Sequence, residues 1–408
     1  MASTDSLSIP ENGNSLTVDW IQRALSAGGD LPSIRNIAVE DIGAGSGTIG
    51  AILRCGLTYH HDVPDMPKSV VIKLSSDDKK SLRIAKLLSM YKREYFCFRQ
   101  LAQSIPMRLP ELLYGDFDSR THRFVMVLED LGHMEHMDQI IGASAERAMH
   151  AIRSVAALHG RFWNRLDQPP ASDFLASVGG PRPWLSQLIY LGCLPPCLER
   201  FGNLLSVRMQ RLAEAFGPRV VDHMRELGAG PQTLTHGDFR LENMFFGDGR
   251  PDDFAVIDWQ TSGLIGNGVY DVAYFMVSSV PTEVRRRIER QALEAYHGIV
   301  CSMGAKGFTS EDCWQSYRSN ILGMLVPSVC AGGALDMSNK RIRTLGETML
   351  KRTTAAIEDL DAAELLPTRS GSLTPTYLFS ALSSQLHSAY KLSYRLRRAR
   401  ARAQSRSA

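Results

Sequence analysis

The sequence predicts an α+β fold in two lobes, a small antiparallel-sheet lobe followed by a larger, mainly helical one. Three observations carry that expectation. Between Ile37 and Asp130 short strand-like runs dominate, bounded by turn residues. After Gly142 the apolar spacing changes to the pattern of amphipathic helices. No internal repeat and no Pro-, Gly- or Ser-rich linker cuts the chain into separable pieces. With 44% hydrophobic and 22% charged residues among 408, the chain can bury a sizeable core and lies far from the composition of disorder.

The charge balance narrows the partners. Lys plus Arg number 46 against 43 Asp plus Glu, a net +3, too small an excess for a surface given over to nucleic acid or membrane. Residues 391–408 hold one Lys and six Arg with no acid, so removing those seven charges from +3 leaves residues 1–390 at −4. The basicity is a terminal tail on a mildly acidic body. Residues 1–14 carry Asp5 and Glu11 and lack the basic and apolar regions of a secretory signal. The best apolar run, Val269–Val280, is short and contains Asp271, well below the ~18 residues of a membrane span. A soluble, cytoplasmic protein without stable membrane insertion is expected. The seven cysteines are scattered and lack a C-x-x-C pair, so free thiols are expected rather than a metal site. The expected partition is a flexible stretch over residues 1–14, an N-lobe over 15–132, a helical C-lobe over 133–367, and a Ser/Thr-rich connector with the basic tail over 368–408.

Taken in order, the first notable feature is the glycine-dense stretch Gly43–Gly50, in which Gly45, Gly47 and Gly50 fit G-x-G-x-x-G. Glycines let backbone N–H groups approach phosphate oxygens closely. A dinucleotide fold needs a helix directly after such a loop, whereas Ala51–Tyr59 reads as a strand. A Walker loop would end in Gly-Lys-Ser/Thr, and no lysine is present. A loop between two strands remains, either a phosphate cradle or a plain hairpin. Ser69–Leu74 is an apolar strand with Lys73 near its end, and Leu112–Phe117 pairs with Phe124–Leu128 across the turn Asp118-Ser119-Arg120. Between them Leu87, Tyr91, Phe98 and Leu101 define an apolar helical stripe on which Glu94 falls. A carboxylate in a core-facing stripe needs a partner, and Lys73 is the candidate, unless Glu94 points past the stripe into solvent beside Arg93.

The helical half is expected over Ala145–Trp163, Pro281–Val300 and Glu311–Val326, interrupted near Leu234–Gln260 by two short apolar runs. These runs frame the most informative motif. In Thr235-His236-Gly237-Asp238-Phe239-Arg240-Leu241-Glu242-Asn243, Asp238 and Asn243 stand five apart, and Asp258 of Val256-Ile257-Asp258-Trp259-Gln260 follows fifteen later. Such a set suits phosphoryl transfer: one carboxylate to orient an attacking hydroxyl and accept its proton, and an Asn with a second Asp to hold Mg²⁺ through hard oxygen ligands.

With Gly45-Ser46-Gly47-Thr48, Val71-Ile72-Lys73, Arg93-Glu94, Val127–Leu131, Ala157-Leu158-His159 and Tyr270-Asp271-Val272-Ala273, these motifs span about Leu16 to Met276. Together they resemble the aminoglycoside and choline kinase type of small-molecule phosphotransferases, most closely the ecdysteroid kinase-like branch. The resemblance implies a bilobal protein-kinase-like fold with ATP in the cleft. It implies Asp238 as catalytic base, Asn243 and Asp258 as Mg²⁺ ligands, Lys73 as the phosphate-binding lysine and Glu94 as its partner. Gly45, Ser46, Gly47 and Thr48 would also contact nucleotide, as would the hinge Leu128, Glu129, Asp130 and Leu131. His236 and Asp271 would support the catalytic loop from behind.

The departures from protein kinases matter as well. Gly237 stands where they carry Arg, and Asp258-Trp259-Gln260 stands in place of Asp-Phe-Gly. Asp271 follows Asp258 by only thirteen residues, with no Ala-Pro-Glu segment, which leaves almost no room for a peptide-binding activation loop. A small-molecule hydroxyl acceptor is therefore expected. His159 and Trp259 read as core residues. For the acceptor, Pro181–Leu204 and Glu311–Met337, holding Trp184, Tyr190, Trp314, Tyr317 and Met324, suggest a hydrophobic or steroid-like alcohol over a polycationic aminoglycoside, while core packing explains the same residues at least as well. The competing classes are a catalytically inactive kinase-fold binding module, whose usual mark is loss of one of these residues, and a dinucleotide enzyme, which leaves the His-Gly-Asp motif unexplained.

Overall fold

The structure, a computed structural model, describes residues 7–26, 31–43, 50–61, 64, 66–178, 183–247, 254–262, 265–334 and 338–368. Helix α1 (Val18–Ser26) precedes strands β1 (Ile34–Asp41), β2 (Ala51–Tyr59) and β3 (Ser69–Leu74), helices α2 (Lys79–Leu87) and α3 (Met90–Phe96), and strands β4 (Leu112–Phe117) and β5 (Phe124–Glu129). The five strands form one antiparallel sheet in the order β1-β2-β3-β5-β4.

The two-residue period of a strand sorts its side chains. Leu53, Cys55, Leu57, Val70, Ile72 and Leu74 pack with Trp20, Ile21 and Ala24 of α1 in a core above the sheet. The alternate residues Ile52, Arg54, Val71 and Lys73 line a cleft on the other face. Lys73 therefore points into the cleft because its neighbours along β3 belong to the core.

The helical stripe expected from Leu87 to Leu101 is two helices. Alpha-2 ends at Leu87, and Ser89 adopts a left-handed conformation (φ 55°) before α3 starts. The turn rotates the two halves against each other, leaving Leu87 57% exposed while Tyr91, Glu94, Phe98 and Leu101 are buried.

The second part of the chain is mainly helical. Strand β6 (Glu135–His136) leads to α4 (Ala145–Phe162), α5 (Ala171–Val178), α6 (Pro183–Phe201), α7 (Val207–Phe216) and α8 (Val220–Gly228). Short strands β7 (Thr233–Leu234), β8 (Met244–Phe246), β9 (Phe254–Val256) and β10 (Ile265–Gly266) follow. Helices α9 (Val269–Ser278), α10 (Thr282–Ser302), α11 (Ser310–Gly323), α12 (Leu325–Ala334) and α13 (Lys340–Asp359) complete it. The region expected as one helix over Glu311–Val326 is divided at Met324. Pro327 lacks an N–H and its ring would collide with the carbonyl four residues back, so it fits only within the first turn of a new helix.

Alpha-9 is buried on nearly every side, from Val269 through Ser278, and so explains the apolar run that the sequence interrupts with Asp271. Strand β7 pairs with β10, and β8 lies between β6 and β9. These two small sheets bracket the segments holding Asp238 and Asp258. Among the described residues no helix is long and apolar enough to cross a membrane.

Candidate active site

Three predicted side chains meet under the five-stranded sheet. The Lys73 ammonium donates to Glu94 Oε1, and its Nζ lies 3.3 Å from Asp258 Oδ1. Glu94 is wholly buried, and its second oxygen accepts from Gln260 Nε2 at 3.1 Å. Burial works against the Lys73 charge, but Glu94 and Asp258 outweigh it and hold the ammonium above its ordinary range. Burial pushes Glu94 up, with Lys73 acting the other way. An unpartnered carboxylate at this depth would cost several kcal/mol, so each member of the pair requires the other.

Asp258 has φ 66° and ψ 61°, a left-handed backbone that few residues other than glycine adopt and that often marks functional positions. The adjoining Trp259 is packing, as expected: it is fully buried and donates to Val256 O at 3.1 Å.

The His236–Asn243 loop is fixed from below. Asp271 Oδ2 accepts the His236 N–H at 2.7 Å, and its Oδ1 accepts the Gly237 N–H at 2.9 Å. His159, buried in α4, meets Asp271 Oδ2 at 3.1 Å and Tyr296 Oη at 3.0 Å. The His236 ring lies 3.0 Å from Ile257 O, and Thr261 Oγ1 donates to His236 O at 3.0 Å. Gly237 has φ 83°, and a Cβ there would lie 2.8 Å from Thr261 O, so both the conformation and the space require glycine.

Asp238 stands at the edge of this loop with 22% of its side chain exposed. Arg240 Nε donates to both of its oxygens, at 3.2 and 3.1 Å, and Asn243 Nδ2 donates to its Oδ2 at 3.0 Å and to its backbone oxygen at 2.8 Å. Burial raises the Asp238 pKa, but the Arg240 guanidinium, together with His236 and the Tyr274 hydroxyl, outweighs it and holds the carboxyl below its ordinary range. Arg240 also bonds Glu242, which pairs at 2.9 Å with Arg341 of α13.

Asn243 spends its amide hydrogens on Asp238, which leaves its carbonyl oxygen as the donor for a cation. The Ile257 N–H donates to the Asn243 backbone O at 2.9 Å, so the segments carrying Asn243 and Asp258 run side by side, and the Asn243 side-chain oxygen and the Asp258 carboxylate are a sparse set of hard oxygen donors. Among the described residues no group of three His, Cys, Asp or Glu could hold a metal. The pair therefore fits an ion that takes its remaining ligands from phosphate and water, as Mg²⁺ does, and not a closed protein cage.

Two cavities adjoin these residues. One, of about 100 Å³, is the cleft under the sheet, lined by Ile52, Val71, Phe98, Leu128 and Ile257 with Lys73, Glu94 and Asp258. The expected hinge residues Leu128–Leu131 border it. Their acids are tied off, Glu129 with Arg108 and Asp130 with Arg54 Nε at 2.8 Å and Ser69 Oγ at 2.7 Å. Gly45, Ser46, Gly47 and Thr48 lie outside the described residues.

The other cavity, of about 340 Å³, opens beside Asp238. Arg240, Glu242 and Tyr274 form its polar end, and Pro327, Cys330, Ala331, Ile342, Leu345 and Met349 form apolar walls. A groove of about 450 Å³ between the end of α8 and α11 contains none of the predicted residues.

The aromatic residues expected near an acceptor line neither of the first two cavities. Tyr190, Tyr317 and Met324 are core, Trp184 is half exposed, and Trp314 lies under the Arg290 guanidinium at 3.2 Å. The apolar walls come instead from α12 and α13, so the stretch Glu311–Met337 contributes through small residues and Pro181–Leu204 does not. Arg240, Glu242, Tyr274 and Gln260 are site residues not anticipated from sequence. Their signal was available: Arg240 and Gln260 each follow a predicted acid by two positions, and Tyr274 follows Asp271 by three, on the same helix face.

A fold with an antiparallel five-stranded sheet over a helical body, and a lysine–glutamate pair beside Asp258 in the cleft, is the bilobal protein-kinase-like α+β fold expected from the sequence. The model of the ecdysteroid kinase-like family matches residues 192–302, which include His236, Asp238, Asn243, Asp258 and Asp271. The resemblance to that branch is thus found again over this stretch.

Three solved structures have a similar chain trace. An ethanolamine kinase from Plasmodium vivax is 14% identical, covering 84% of this chain and 89% of its own, at a TM-score of 0.47. A microcompartment-associated aminopropanol kinase is 16% identical, covering 86% and 99%, at 0.48. The GDP complex of an aminoglycoside 2′-phosphotransferase is 13% identical, covering 83% and 99%, at 0.47. No curated protein matches the sequence.

Proposed function

We propose that the protein is an ATP- and Mg²⁺-dependent phosphotransferase whose acceptor is the hydroxyl of a small molecule. One observation carries the reading: the Lys73–Glu94 pair and Asp258 line an apolar cleft, and the His236–Asn243 loop, bonded to Ile257 beside Asp258, carries Asp238 at a second cavity. Nucleotide would enter the cleft with its base against Leu128–Leu131 and its phosphates towards Lys73 and the Gly45–Thr48 loop. Asn243 and Asp258 would hold Mg²⁺, which when bound neutralises phosphate charge. Asp238 would align the acceptor hydroxyl and take its proton, with Arg240 and Asn243 fixing the carboxylate's direction. Most of the acceleration would come from positioning and charge neutralisation.

The second cavity supports an uncharged, apolar-bodied alcohol as acceptor. Asp238 and Glu242 are both engaged by Arg240, so no carboxylate is left unpaired there for an ammonium group. A cytoplasmic setting, with the two lobes meeting near residue 132, goes with this reading. The alternative, an inactive kinase-fold binding module, is disfavoured because Lys73, Asp238, Asn243 and Asp258 are all present. The test is ADP release over a panel of neutral and cationic alcohols, with Asp238→Asn as the blank. Asp238→Asn should lose turnover by orders of magnitude and keep ATP binding; wild-type turnover in that variant would sink the assignment.

A further inference from the structure

The tetrapeptide Asp258-Trp259-Gln260-Thr261, with Ser262 after it, reaches in three directions. The Gln260 amide donates to Glu94 Oε2 at 3.1 Å, the Thr261 hydroxyl donates to His236 O at 3.0 Å, and Ser262 O accepts from Arg93 Nη1 at 3.0 Å. Helix α3 is therefore held to this segment twice, by Arg93 and by Glu94, which are adjacent. Gln260 is 8% exposed and Glu94 is wholly buried, so their contact is shielded from water. In such a site a hydrogen bond to a charged group is strong, and an orphaned acceptor is costly.

The chemistry of Glu94 gives Gln260 a specific task. A carboxylate with two free oxygens can take an ammonium symmetrically between them. Here Oε2 is engaged by the Gln260 amide and Oε1 alone faces Lys73, whose Nζ then also stands 3.3 Å from Asp258. We propose that Gln260 is a positioning residue for nucleotide binding: by holding one oxygen of Glu94, it keeps Lys73 aimed at the cleft before any nucleotide arrives. This rests on the phosphotransferase reading above. It adds that the lysine–glutamate pair is held by a contact from the segment that carries Asp258.

The test compares wild type with Gln260→Met, which keeps the side-chain length and removes the donor. The KM for ATP should rise by roughly tenfold, the size expected for one lost hydrogen bond to a charged group, while the KM for the acceptor stays within about twofold. Calorimetric titration with ATP and Mg²⁺ should show the same weakening. In a Glu94→Gln background, adding Gln260→Met should change ATP affinity by less than about twofold, because the group it positions is gone. A purely architectural role would instead move the thermal midpoint and act additively with Glu94→Gln.

Wild-type ATP affinity in Gln260→Met, or additive effects in the double variant, would overturn the proposal. Should Gln260→Met not fold, Gln260→Asn, whose amide falls short of Glu94, takes its place with the same expectation; if neither folds, the role is architectural and the proposal fails. A wild-type chain that binds no ATP and releases no ADP with any alcohol would remove the phosphotransferase reading itself.

Discussion

Replacing Asp271 with Asn tests how the catalytic loop is held. The wild-type carboxylate makes three contacts in a site closed to solvent: His236 N–H at 2.7 Å and His159 Nε2 at 3.1 Å on Oδ2, and Gly237 N–H at 2.9 Å on Oδ1. Asparagine keeps the shape but turns one oxygen into a donor. The least damaging rotamer puts the new nitrogen in the Oδ1 position, opposite the Gly237 N–H, and leaves the other two contacts as neutral bonds. Hydrogen bonds to charged groups contribute about 1.5–3 kcal/mol and neutral ones about 1. One bond lost and two weakened by about 1 kcal/mol each gives a loss of roughly 4 kcal/mol.

Against a typical stability of about 5–15 kcal/mol, that loss should lower the urea midpoint markedly at unchanged slope. Turnover, measured where the fold persists, should fall too, because the backbone of His236 and Gly237 sets the direction of Asp238. A variant within about 0.5 kcal/mol of wild type, with undiminished turnover, would refute this account of the loop.

Three further outcomes are expected. Burial against Phe216 and α11 pushes the His223 imidazole down to about 4, with a Ser319 backbone contact opposing. The unfolded chain binds this proton near 6.5, so the stability contribution is whole above that pH and declines as pH falls from 6.5 towards 4, by about 3 kcal/mol in all. His223→Phe should therefore reduce the acid slope of stability in that window by one proton, and an unchanged slope would count against it. Gly237→Ala, facing φ 83° and a Cβ 2.8 Å from Thr261 O, should cost about 1–3 kcal/mol in denaturant melts and impair turnover. Ala331→Trp, which fills the cavity beside Asp238, should raise the acceptor KM or abolish transfer while ATP titration stays as in wild type; unimpaired transfer would place the acceptor elsewhere.

Much of the sheet-bearing half was legible because strand periodicity and core burial coincide there. Ala51–Tyr59, Ser69–Leu74 and Leu112–Phe117 have the expected limits. Lys73 and Glu94 could be paired on paper because each is a charge among apolar neighbours. Helix junctions were harder to read. The left-handed Ser89 and the restart after Met324 are set by local backbone geometry and by Pro327, whereas apolar spacing runs straight through both positions. The choice between acceptor lining and core packing for the large aromatics falls to packing for a related reason. Large aromatics drew attention to Tyr190 and Tyr317, yet big side chains fill cores, and the empty space lies where Ala331 and Cys330 are too small to fill it. Arg240 was passed over although it follows Asp238 by two positions, because its reach to both Asp238 and Glu242 is set by the turn of the loop.

The contact between Gly237 and Thr261 bears on regulation. A catalytic loop with arginine at that place has a cation with which to sense a phosphate attached to a neighbouring segment. Here the space is filled by the Thr261 backbone, and no longer side chain fits. Position 237 therefore offers no cation to a phosphate carried by a neighbouring segment.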